Sequence, residues 1–109
     1  MKHLTVLVVL AGALPGCYGP IRSTKDILDA EVAIESARTA GAERKAKYEW
    51  TAANLYIHKA REEVAYSDYQ AGVNFAVKAS KFANEAREKA MASANADSNS
   101  SADSPRPTP

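Results

Sequence analysis

Three side chains in this sequence are of types that do chemistry: Cys17, His58 and Glu62. Cys17 is the only cysteine, so its thiol is the one soft nucleophile in the chain. His58 and Glu62 stand four residues apart, a spacing that puts both on one face of a helix, as an acid/base pair or half of a metal site requires. The run His58-Lys59-Ala60-Arg61-Glu62-Glu63 has a simpler reading as a solvated surface. There His58–Glu62 and Lys59–Glu63 form pairs that contribute about 0.2–0.5 kcal/mol each. That face points away from Ala53, Ile57 and Ala60, which recur at core spacing. The chain has no Gly-rich phosphate loop, and its other histidine, His3, lies near the start. An enzyme is therefore not expected, nor is a cofactor or a metal.

Cys17 takes its meaning from what precedes it. A short basic start, Met1-Lys2-His3, leads into an apolar run from Leu4 to Leu14, closed by Leu14-Pro15-Gly16-Cys17. These are the parts of a secretory signal. Eleven residues of helix reach about 16 Å against a hydrocarbon core of about 30 Å, so the run is read as a processed segment and not a span. With cysteine following, it resembles a bacterial lipobox. That resemblance implies cleavage between Gly16 and Cys17 and acylation of both the thiol and the new amino terminus. Two or more acyl chains hold a protein stably on a membrane, where one does so only marginally. Tyr18 follows the cysteine, where the resemblance would place an aspartate for inner-membrane retention. It therefore implies the periplasmic face of the outer membrane. Lipid would use the only thiol, leaving none for a disulfide or a thiolate metal site.

Removal of residues 1–16 takes Lys2 and no acid from 14 basic and 13 acidic residues, leaving 13 of each. A neutral chain argues against nucleic acid, whose binding needs a basic stripe, and no such partner is expected. The expected organisation is a signal peptide over 1–16, a lipidated Gly-Pro leader over 17–22, a helical domain over 23–91, and a tail over 92–109. The tail is rich in Ser, Asn, Asp, Ala and Pro, with no large apolar residue. It is expected to be solvated and disordered.

Three helices should carry the domain. Ser23, with Asp26 three residues on, reads as an N-cap. Behind it, Ile27, Ala30, Ile34, Ala37 and Gly41 recur at spacings of three and four, with Gly41 as the stop. Ala46, Trp50, Ala53, Ile57, Ala60 and Val64 repeat the pattern after a joint at Gly41–Arg44. Ser67 and Gln70 then read as a capping box for a last helix whose seam is Tyr69, Gly72, Ala76, Ala79, Ala83, Ala86 and Ala90. The fold class is all-α: a small antiparallel three-helix bundle with alanine-rich, heptad-like seams. Such seams bring helices close while burying little area. Trp50, Tyr56, Phe75 and Phe82 are expected as core anchors, with little room for a cavity of about 300 Å³. Tyr48, Leu55 and Tyr66 fall opposite Ala53 and Ala60 and form a candidate docking surface.

The stretch from Tyr48 to Ala90, and most specifically HKAREE followed by SDY, resembles small alanine-rich bacterial envelope lipoproteins grouped as a domain of unknown function. In that family the helical unit often precedes an outer-membrane-protein-A-like peptidoglycan-binding domain. The positions carried over are Tyr56, His58, Lys59, Ala60, Arg61, Glu62, Glu63, Ser67, Asp68 and Tyr69. This chain departs from the pattern at Trp50 and Leu55. The resemblance implies a helical, membrane-held envelope protein and no particular activity. Two kinds of partner are expected: an envelope protein or a second copy docking on the helices, or peptidoglycan or another envelope polymer bound through the tyrosines.

Overall fold

The computed structural model describes residues 18–103. The expected signal segment, with its expected Gly16–Cys17 cleavage junction, and residues 104–109 lie outside the described residues. Within them the chain is all-helical: α1 (Tyr18–Thr39), the single turn α2 (Ala42–Lys45), α3 (Lys47–Ala65) and the long α4 (Tyr69–Ala102). None of these helices is long and apolar enough to cross a membrane.

Packing follows the alanine spacing. Gly72, Ala76, Ala79, Ala83, Ala86 and Ala90 are all buried along α4, which packs on both α1 and α3. Ala30 and Ala37 face it from α1, and Ala53, Ile57 and Ala60 from α3. One cluster joins Ala37, Ala42, Ala46, Ala86 and Ala90, with Trp50 against its edge. A second joins Ala30, Ile57 and Ala79, flanked by Ile27, Ile34 and Tyr56. Among the described residues, the buried apolar side chains are alanines apart from Ile57 and Val73. Methyl groups alone allow backbone to approach backbone. At Gly72 even a methyl is too much: a Cβ there would lie 2.5 Å from Val64 Cγ2 and 3.3 Å from the Ala60 carbonyl oxygen.

The helix ends differ from expectation in four places. Ser23 is not an N-cap. The helix already runs from Tyr18, so the residues expected as a leader, Tyr18–Arg22, are helical, with Pro20 where the first turn tolerates it. Ser23 is buried seven residues before Ala30, extending the small-residue seam, and its Oγ donates back to the Pro20 carbonyl at 3.0 Å. The Gly41–Arg44 joint is itself partly helical. Gly41 (φ 81°) ends α1 as expected, but Ala42–Lys45 forms one turn, and the break before α3 falls at Ala46 (φ −139°, ψ 55°). The cap of α4 is Asp68, whose Oδ1 accepts from the Ala71 amide at 3.0 Å. Ser67 instead occupies the left-handed region, φ 65°, in the turn before it. Finally, the helix does not stop at Met91: α4 continues through Ala102, where a disordered tail was expected. Its last buried residue is Ala90, and residues 91–102 continue the helix with no buried residue among them, the Ser98 and Ser101 hydroxyls donating to the carbonyls of Ala94 and Asp97.

Candidate functional site

The aromatic residues of α3 and α4 do not fill the interior. Tyr56, Phe75 and Phe82 are half-buried, in a row along one edge of the α3–α4 interface. The Tyr56 ring stacks on Phe82 (5.5 Å, 14°) and on Phe75 (6.1 Å, 20°), and Tyr48 meets Phe82 edge-on at 6.2 Å. Alanine seams bring the two backbones together, which leaves no interior volume for rings and turns them outward to this edge. The expectation that Trp50, Tyr56, Phe75 and Phe82 anchor the core is corrected in part: all four are half-buried, and Trp50 and Tyr56 pack against the edges of the buried clusters.

Outside the rings lies an open groove of about 430 Å³, lined by Tyr48, Thr51, Ala52, Leu55, Tyr56, Lys59, Phe75 and Phe82. The expectation of little room for a cavity did not anticipate this surface groove. Tyr48 and Leu55 are 72% and 66% exposed, far more than a core leucine or tyrosine would be. Lys78 stands over the other end, its Nζ 5.6 Å from the Tyr56 centroid and 5.5 Å from that of Phe75. Lys59 is held at the rim by Glu63 (2.9 Å) and Glu62 (3.2 Å), and these hydrogen bonds, Glu63's first, raise the ammonium above its ordinary pKa.

The structure thus brings together Tyr48 and Leu55 of the expected docking stripe but not Tyr66. Tyr66 is the C-cap of α3, 79% exposed, and lines no part of the groove. The sequence held the signal for the missing members. Tyr48 and Leu55 are seven apart on α3, Phe75 and Phe82 seven apart on α4, and Tyr56 sits between them.

The motif positions do not converge on one site. Tyr56 and Lys59 belong to the groove. Arg61 reaches across to Glu31 of α1. Ser67 and Asp68 form the turn, and Tyr69 packs beside Gly19, whose added Cβ would lie 3.4 Å from its ring. The expected His58–Glu62 pair is not formed: Glu62 pairs with Lys59, and His58 is exposed on α3. Among the described residues, no three His, Cys, Asp or Glu side chains gather as metal ligands would. Neither a protein-family model, a curated protein nor a solved structure matches the chain.

Proposed function

We propose that this chain is a non-enzymatic, lipid-anchored envelope protein, held by Cys17 at the periplasmic face of the outer membrane. Its three long helices act there as a small bundle that docks a second protein. The observation that carries the docking part is the groove: rigid, stacked rings flanked by an exposed Leu55 and Tyr48. Such rings supply contact area at low entropic cost, and an open apolar trough between two helices suits the apolar face of a partner helix or a second copy. The lipid part rests on the lipobox-like run ending at Cys17.

A photo-crosslinking residue placed at position 55 of the full chain, in cells that make it, tests the docking reading. A discrete crosslinked product is expected from position 55 and not from position 66. Its loss when Tyr56 is also replaced by Ala would tie it to the groove. No product from 55, or equal products from both positions, would rule the groove out as the interface. The alternative, a module for peptidoglycan or another envelope polymer, uses the same rings as a stacking platform. Sedimentation with isolated cell-wall sacculi, lost in Tyr56→Ala, would favour it.

A further inference from the structure

The even balance of charge over the chain hides an uneven distribution. Residues 38–47 carry Arg38, Arg44, Lys45 and Lys47 against a single acid, Glu43. Elsewhere most cations are matched: Arg22 with Asp26, Lys25 with Asp29, Arg61 with Glu31, Lys81 with Glu85 and Lys89 with Glu49. Arg38 pairs with Glu35 at 2.7 Å, but among the described residues Arg44, Lys45 and Lys47 enter no ion pair.

The fold gathers these cations. Gly41 turns the chain after α1, and Ala46 turns it again after α2. Two turns this close bring Arg38 from α1, Arg44 from α2 and Lys47 from α3 around an open depression of about 500 Å³, with Gly41 and Glu43 completing its lining. Cations in the last turn of a helix complement its dipole, which accounts for Arg38, Arg44 and Lys45 without any ligand. It does not account for Lys47. That residue opens α3, where the dipole disfavours a positive charge, and it has no acid partner to offset the cost.

We propose that this turn is a binding site for an oxyanion polymer, one bearing closely spaced carboxylates or phosphates. Guanidinium forks match either group, and ammonium groups at the rim add unpaired charge. Clustered cations around a concavity focus a local field that the chain's overall neutrality does not cancel at short range. The turn lies at the end of α1, 22 residues or about 33 Å of helix beyond Cys17. A chain held at Cys17 can therefore offer it to a polymer that is not part of the membrane. The site shares no residue with the α3–α4 groove and does not rest on the docking reading.

The test uses the detergent-solubilised full chain and fluorescent poly-L-glutamate and polyphosphate, with dextran as a neutral control. At least one polyanion should bind, at least about tenfold more weakly at high salt, and dextran should not bind. The polymer preferred identifies the source of the oxyanion. The triple variant Arg44→Gln/Lys45→Gln/Lys47→Gln should lose binding about tenfold or more. Removing as much charge elsewhere, by Lys25→Gln/Lys81→Gln/Arg87→Gln, should change it less than about twofold, and Glu43→Gln should strengthen it. Circular dichroism keeps misfolded variants out of the comparison. Equal loss in the two triple variants would reduce the effect to net charge and overturn the proposal. Absence of polyanion binding would overturn it too, as would complete displacement of the polymers by phosphatidylglycerol added to the micelles, which would assign the turn to a lipid surface.

Discussion

At Gly72 there is no room for a methyl group. Glycine inside a helix ordinarily costs about 0.5–1 kcal/mol relative to alanine, so Gly72→Ala would stabilise an open position. Here the new Cβ meets Val64 Cγ2 at 2.5 Å, and the β-branched valine has essentially one rotamer in a helix with which to escape. We expect Gly72→Ala to destabilise by about 1–3 kcal/mol, and Gly72→Ala/Val64→Ala to recover part of that loss in thermal unfolding followed by circular dichroism. A more stable single variant would mean that α3 and α4 stand further apart than described. The same reasoning inverts the usual order of large and small residues. Ala79 is fully buried and Leu55 is 66% exposed, so Ala79→Leu should lower the melting temperature more than Leu55→Ala does.

Between elements, few polar contacts pin the helices to one another, and Glu49–Lys89 is the clearest. Lys89 Nζ donates to Glu49 Oε1 at 2.9 Å, joining α3 to α4 beside the alanine cluster. That hydrogen bond, helped by a backbone one, lowers the Glu49 pKa from its ordinary 4.5. A depressed carboxylate pKa contributes stability above the unfolded-state value that is lost as the pH falls through the folded-state value. Urea midpoints at pH 7 and pH 3 should therefore differ more in the natural chain than in Lys89→Gln. An identical pH response in the two would show that the pair contributes nothing. At this scale the seams were legible in the sequence because a run such as Ala76, Ala79, Ala83, Ala86 and Ala90 fits only one face of a helix. The ends were less so. Ser23 and Ser67 have the composition of caps, yet a small buried residue was needed at the first and a left-handed turn at the second, and neither need is written locally. The break at Ala46 has no glycine or proline to announce it.

For the whole molecule, the proposed anchor rests on the sequence around Cys17. Cys17→Ser should abolish incorporation of a labelled fatty acid, because a serine hydroxyl does not supply the thiolate nucleophile. Label retained on the variant would remove the lipid anchor from the proposal. The groove was half legible: Tyr48 and Leu55 stood out as apolar residues off the seam. Their partners Phe75 and Phe82 read as core, because periodicity cannot tell a ring that is buried from one pushed to the edge by alanines. The basic turn was hidden by the neutral total. α4 itself joins two different materials in one continuous rod. Up to Ala90 its amides are locked by packing, whereas the remaining 12 residues to Ala102 extend about 18 Å with no buried residue among them. Helices that short are marginal on their own. In hydrogen–deuterium exchange, amides beyond about Ala94 should therefore exchange by local fraying, at rates indifferent to substitutions in the seam. Those of Ala76 to Ala90 should exchange only through global opening and accelerate together in Ala79→Leu.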